Sequence, residues 1–276
     1  MEFSIENALR VAKEAARSAG DILRDMLETA VVSEKAPKDL VTDADVAAQN
    51  CIESKILSAF PNHRFLGEES IQSASGPSAV AADDWLWVVD PLDGTVNYVH
   101  RMPNFAVSIA LMKGDTTLLG VVFDPMADEM YTAIQGQGAF INDRKLQCSG
   151  CTTLESALVA VSFPPQIKKD SVEITQFIEI LIRSQSLRRM GSAALNLCYV
   201  AHGRLDAYWA GFLKIWDIAA GGLIVLESGA MLTKQDGSRF DPRQGELIAA
   251  SSNALGAELQ KCLQSVRADH LQKNAP

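Results

Sequence analysis

Five apolar residues, Trp85-Leu86-Trp87-Val88-Val89, run without a break into Asp90-Pro91-Leu92-Asp93-Gly94-Thr95. A run of this length with no polar position suits a strand covered on both faces. Pro91 fixes φ and removes a donor, so the chain turns there. Gly94 admits backbone conformations that other residues resist. Two carboxylates three residues apart are therefore delivered to the carboxyl end of a buried strand, where ligands sit in open α/β sheets. The Gly94 and Thr95 amides would open a helix or turn, a natural site for an anion. Taken alone, the segment is equally an Asx-turn in which Asp90 and Asp93 only cap the chain.

The elements around it read as follows. Ser4 caps a first helix whose apolar positions recur at helical spacing from Ile5 to Met26. Residues 31–43, with Pro37, read as extended chain or loop. A second helix is expected from about Asp45 to Phe60, ended by Pro61-Asn62, and a loop from Ser70 to Asp84. Segments 105–112 and 117–123 pair around Gly114-Asp115, and 130–134 and 139–141 around Gln135-Gly136-Gln137-Gly138. The second half alternates: a strand over 157–163; a helix over 171–184 with Val172, Ile174, Phe177, Ile178, Leu181 and Ile182 on its apolar side; a helix from Ser192; a strand over 206–209; a small-residue helix from Asp217 to Glu227; two short strands; and a helix from about Asn253. The pattern predicts an α+β or α/β protein: residues 1–147, a helix pair plus a largely antiparallel sheet with most of the candidate acidic ligands, and residues 148–276, an α/β half, packed as one compact unit.

Composition narrows the class. The chain has 276 residues, ample for a large core, and its net charge of −9 with no long basic run argues against nucleic acid. No stretch reaches the roughly 18 apolar residues of a membrane span. Met1-Glu2-Phe3-Ser4 lacks a basic region followed by an apolar run, and five cysteines make an uneven set for disulfides, so a cytoplasmic, reduced protein is expected. Cys148 and Cys151 have C-x-x-C spacing but no second pair, and read as incidental thiols. His63, His100, His202 and His270 fit no metal-ligand spacing and read as structural or surface residues.

Two more acidic stretches bear on the first. Leu66-Gly67-Glu68-Glu69-Ser70 puts paired carboxylates after a short apolar stretch, and Asp217 in Trp216-Asp217-Ile218-Ala219-Ala220-Gly221-Gly222 opens a helix of small residues, where its plain reading is an N-cap. If these groups converge, two unit charges about 4 Å apart repel by roughly 4 kcal/mol at an effective dielectric of 20. A cluster of three or four then calls for a cation, and all-oxygen donors suit Mg²⁺ or Mn²⁺.

Gly67-Glu68-Glu69, Asp90-Pro91-Leu92-Asp93-Gly94-Thr95 and Trp216-Asp217-Ile218-Ala219-Ala220-Gly221, together with Asp39-Leu40-Val41-Thr42-Asp43-Ala44-Asp45 and Gly191-Ser192-Ala193-Ala194-Leu195-Asn196, resemble the inositol monophosphatase family. The matches occur in family order over nearly the whole chain, and Val96-Asn97-Tyr98-Val99-His100 is similar to the inositol monophosphatase branch. The resemblance implies a layered αβαβα sandwich, a homodimer, two or three Mg²⁺ ions with Mn²⁺ as substitute, inhibition by Li⁺, and a small phosphorylated substrate. By matching position, it implies that Glu68, Asp90 and the Leu92 carbonyl hold a first metal and Asp90, Asp93 and Asp217 a second, with Glu68 facing a weaker third. It implies that Thr95 and Asp45 orient the attacking water, that Asp93, Gly94, Thr95, Ala193 and Ala210 stand at the substrate, and that Lys35 lies near the site.

The sequence departs from the family pattern at one place. A Glu that binds inositol hydroxyls commonly stands seven residues before the Trp-Asp aspartate, and that position here is Ala210. The loss of a charged hydrogen bond worth about 1.5–3 kcal/mol keeps other substrates in view: a sugar phosphate, fructose 1,6-bisphosphate, histidinol phosphate or a nucleotide bisphosphate. A binding role in a protein or RNA complex is the alternative of a different class.

Overall fold

The computed structural model describes residues 3–70 and 84–273. The loop expected between Ser70 and Asp84 lies, apart from its two ends, outside the described residues. Three helical layers alternate with two sheets. The outermost layer holds α1 (Ile5–Met26) and α2 (Asp43–Ala59), which follows a hairpin of β1 (Val32–Ala36) and β2 (Asp39–Thr42). That hairpin is the extended alternative of the reading over 31–43: the turn at Pro37–Lys38, with Lys38 at φ 68°, lets the flanking residues pair.

The larger sheet runs in the order β3 (Arg64–Gly67), β4 (Trp85–Asp93), β5 (Ala106–Lys113), β6 (Thr116–Asp124), β7 (Glu129–Ile134), β8 (Gly138–Ile141), β9 (Arg144–Lys145). Its strands pair antiparallel except β3 with β4. The five-residue helix α3 (Thr95–Val99) follows β4. The smaller sheet contains β10 (Leu158–Ser162), β11 (Ser186–Arg188), β12 (Ala207–Ala210), β13 (Met231–Thr233) and β14 (Leu247–Ala250), in the order β11-β10-β12-β14-β13. Strand β10 is parallel to β11 and β12, while β14 is antiparallel to β12 and β13. Helices α5 (Ala193–His202) and α6 (Ile215–Glu227) lie between the sheets, and α4 (Val172–Arg183) and α7 (Asn253–Lys273) cover the far face of the smaller one.

The alternation of side chains along β4 shows why its apolar run is unbroken. Trp87 and Val89 enter the core shared with α1 and α2, whereas Leu86 and Val88 enter the core shared with α5 and α6. Because α6 is pressed between two sheets, its inner face must be small. A Cβ on Gly120 of β6 would lie 2.7 Å from the Ala220 carbonyl oxygen, and one on Gly221 would lie 2.8 Å from Leu197. The Ala219-Ala220-Gly221-Gly222 stretch is thus a packing requirement of the middle layer.

The structure adds one element and corrects one expectation. The residues before Gly191 form the short edge strand β11, paired to β10. On α4, Gln176 and Ile180 face inward, while Ile178, Leu181 and Ile182 are 50%, 49% and 74% exposed. An outer-layer helix packs on its sheet and one neighbour only, so a helix apolar around most of its girth leaves part of that surface uncovered. Gln176 donates to the Leu263 carbonyl of α7 at 3.1 Å, a bond that gives its polar side chain a place inside.

Candidate active site

Register along β4 breaks between Asp90 and Asp93: Asp90 pairs with Ser108 and Asp93 with Ala106, so three steps on β4 oppose two on β5. Pro91 has no N–H for the ladder, which favours this bulge, and the bulge aims both carboxylates away from the sheet plane. Gly94 then adopts φ 105°, where a Cβ would also stand 3.1 Å from the Asn104 carbonyl oxygen. The turn closes as the Leu92 N–H donates to Asp90 Oδ1 at 3.0 Å. The Asx-turn and the site are one structure.

The other acidic residues arrive from separate layers. Glu68 opens the 3-10 turn Glu68–Ser70 just beyond β3, beside the end of β4. Lys35 on β1 reaches in, its Nζ 3.0 Å from Glu68 Oε1 and 2.6 Å from Glu69 Oε1. Burial works against the charged ammonium, yet the two carboxylates raise its pKa above the usual lysine range. Asp217 stands at the third position of α6 rather than at its N-cap, and accepts from the Lys214 N–H at 2.8 Å. Asp93 reaches the start of α5, taking the Ser192 hydroxyl at 2.5 Å and the Ala194 and Ala193 N–H groups at 2.7 and 3.2 Å.

Asp45 and Thr95 meet as a pair. Thr42 and Asp45 form the capping box of α2, with Asp45 Oδ2 accepting from the Thr42 N–H at 2.8 Å and its hydroxyl at 2.6 Å. This leaves Oδ1 facing the Thr95 hydroxyl at 3.3 Å, and that hydroxyl also lies 3.2 Å from the Leu92 carbonyl oxygen.

Glu68, Asp90, Leu92, Asp93, Gly94, Thr95, Ala193 and Asp217 line one cleft of about 570 Å³. Among the described residues, no histidine lines it. Asp45 stands behind Thr95, and Ala210, fully buried at the end of β12, does not reach the cleft. The expected substrate contact at position 210 is therefore corrected: an alanine methyl is too short to leave the core that Tyr208 and Ala160 share with it. The sequence reading missed Asn97, Asn104, Ser162, Phe163, Arg189, Met190 and Leu213, which also line the cleft. Asn97 Nδ2 donates to the carbonyls of Asn104 and Met190, both at 2.7 Å, and a Cβ on Gly191 would strike it at 2.8 Å. The polar Asn97, inside a short apolar stretch, was the one available signal.

Burial first, and then the charges of Glu68, Asp93 and Asp217, push the Asp90 carboxyl well above the ordinary aspartate range. Burial and Asp93 do the same to Asp217. Asp93 is raised to about 6 by burial, against the opposing pull of Ser192 and the α5 amides. Among the described residues, no three His, Cys, Asp or Glu side chains close on one point within cation-holding distance. Asp93 is held toward α5, and Glu68 toward Lys35. The donor set nevertheless fits a hard divalent cation: it is entirely oxygen, largely buried and mutually repelling.

Burial raises Asp45 to about 6 from 3.8, despite its bonds to Thr42. Its stabilising contribution is therefore complete below pH 3.8 and lost as pH rises through about 6. This amounts to about 3 kcal/mol. In EDTA, the midpoint of wild type relative to Asp45→Asn is expected to fall between pH 4 and 7.5. A difference that stays flat or grows would contradict the burial argument.

A mixed-sheet layered fold thus carries a cleft lined by carboxylates at the end of a buried strand, a donor set suited to a hard divalent cation. The chain belongs to the inositol monophosphatase family, whose model matches residues 4–271. It is 41% identical over 253 residues to inositol monophosphatase 2 of Solanum lycopersicum, covering 90% of this chain and 95% of that protein. It is 40% identical over 258 residues to the Nus factor SuhB of Pseudomonas aeruginosa, covering 91% and 94%. Among solved structures, the extragenic suppressor protein suhB of Bartonella henselae superposes with a TM-score of 0.85 at 35% identity, covering 94% of this chain and 98% of that one. The inositol monophosphatase of Anabaena gives 0.82 at 32%, covering 95% and 96%.

Proposed function

We propose that the chain hydrolyses a small phosphate monoester in a Mg²⁺-dependent reaction, with inositol 1-phosphate or a related phosphate as substrate. The observation that carries this reading is the gathering of Glu68, Asp90, Asp93 and Asp217 with Thr95 around one cleft. Glu68, Asp90, the Leu92 carbonyl, Asp93 and Asp217 would hold the cations. Bound Mg²⁺ would acidify the attacking water and stabilise the charge that develops on the phosphoryl and leaving oxygens.

The protein's own groups do the positioning. The Thr95 hydroxyl accepts from the water while donating to Asp45, so the water's lone pair is aimed at phosphorus. The Gly94 and Thr95 amides donate to phosphate oxygens. Water adds to phosphorus, giving up one proton to solvent, as the bond to the ester oxygen breaks. The leaving alkoxide takes a proton from solvent, so that one monoester and one water yield one alcohol and one phosphate. Phosphate release is to be measured over a panel of monoesters with Mg²⁺ and with EDTA. Release that depends on Mg²⁺ is expected; none from any ester would overturn the reading.

A docking role is a second reading compatible with the first. It rests on relatives such as the Pseudomonas aeruginosa protein being named Nus factors and on the exposed Ile178, Leu181 and Ile182 of α4. Its test is co-purification with a transcription complex, lost in Leu181→Asp and Ile182→Asp.

A further inference from the structure

One part of the cleft lining differs in character from the rest. It comes from the smaller sheet: Ser162 at the end of β10, Phe163 beyond it, and Arg189 just past β11, the parallel neighbour of β10. Every other charged residue lining the cleft is acidic, so Arg189 is its one cation among the described residues. The Arg189 guanidinium carbon lies 5.8 Å from the centre of the Phe163 ring, within reach of a cation–π contact. Stacking of this kind restrains the guanidinium plane and leaves the N–H donors at its edge available.

Among the described residues, those donors are unclaimed. Arg188, next in sequence, is engaged by the Ser186 hydroxyl and the Leu187 carbonyl, but Arg189 has no ion pair among the described residues. Ser162 adds a further donor. Its oxygen accepts from the Tyr208 hydroxyl at 2.9 Å, so its own hydrogen is free for a ligand. Ala210, beside Ser162 in the β10–β12 register, contributes no acceptor. A lining of donors and one cation suits an anion better than a set of sugar hydroxyls, because a guanidinium matches a carboxylate or phosphate with paired charge-assisted bonds.

We propose that Arg189, stacked on Phe163 and flanked by Ser162, binds a second anionic group, a phosphate or a carboxylate, on the alcohol portion of the substrate. This rests on the phosphatase reading and adds to it the class of ester preferred.

The test compares kcat/KM at saturating Mg²⁺ within two substrate pairs. Fructose 1,6-bisphosphate against fructose 1-phosphate reads a second phosphate; 3-phosphoglycerate against glycerol 3-phosphate reads a carboxylate. Wild type is expected to favour the doubly anionic member of at least one pair. Arg189→Ala is expected to cut that preference about tenfold or more, mainly through KM, and Arg189→Lys to keep part of it. Arg189 is exposed, so truncation leaves the core intact. A wild type with no preference in either pair, or a preference unchanged in Arg189→Ala, overturns the proposal. No phosphate from these esters or from inositol 1-phosphate would instead overturn the hydrolytic reading, and the proposal with it.

Discussion

Asp90→Asn is expected to lower Mg²⁺-dependent phosphate release by about 10³-fold or more, the effect of roughly 4 kcal/mol. Asp90 is buried, lies at the β4 bulge, and is pushed toward protonation by burial and by Glu68, Asp93 and Asp217. Asn keeps an oxygen for the Leu92 N–H and nearly the same volume, so the turn persists. It removes one charge from a crowded site. The metal-free variant should therefore melt no lower than metal-free wild type at pH 7.5, and the rise in midpoint on adding Mg²⁺ should shrink. Turnover and midpoint, each with Mg²⁺ and with EDTA, check both halves. Turnover within a fewfold of wild type would sink the assignment, and a collapse in metal-free stability would show that Asp90 acts mainly in the fold.

Thr95→Ala should lower kcat by about 10²-fold while leaving Mg²⁺ affinity almost unchanged. The hydroxyl stands between the Asp45 carboxylate and the Leu92 carbonyl, at 3.3 and 3.2 Å, so it is restrained whether or not substrate is present. A restrained hydroxyl acts on the geometry of attack, which counts in the transition state. Thr95→Ser keeps the oxygen and should recover most of the rate, a rescue that a purely structural role for the methyl would not produce. A large loss of Mg²⁺ affinity with unchanged kcat at saturating metal would reassign Thr95 to the cation site.

The sequence carried the main features of the turn at the end of β4 because its determinants are local. Asp90, Pro91, Leu92, Asp93, Gly94 and Thr95 share one turn, and a bulge at a proline next to a positive-φ glycine follows from those residue types. The small residues of α6 could be read as part of a motif, but their reason, close approach of α6 to β6 at Gly120 and Ala220, appears only when both sheets are present. The apolar face of α4 misled because periodicity reports how much of a helix is apolar, while the number of neighbouring layers decides how much is covered.

What the sequence determined by itself was the strand-and-turn unit around Asp90, the capped helices, the layered class of the fold and the residue types offered to a cation. What only the tertiary structure decided was who meets whom. Lys35 reaches Glu68 and Glu69 across two elements, Asp93 finds the amides at the start of α5, and Asp45 uses one oxygen for its helix and the other for Thr95. The same is true of Arg189, a surface residue by every local criterion, which comes to line the cleft because β11 pairs beside β10. Local sequence sets backbone preferences over a few residues, whereas these meetings depend on strand order and layer stacking, which are fixed by burial summed over the whole chain.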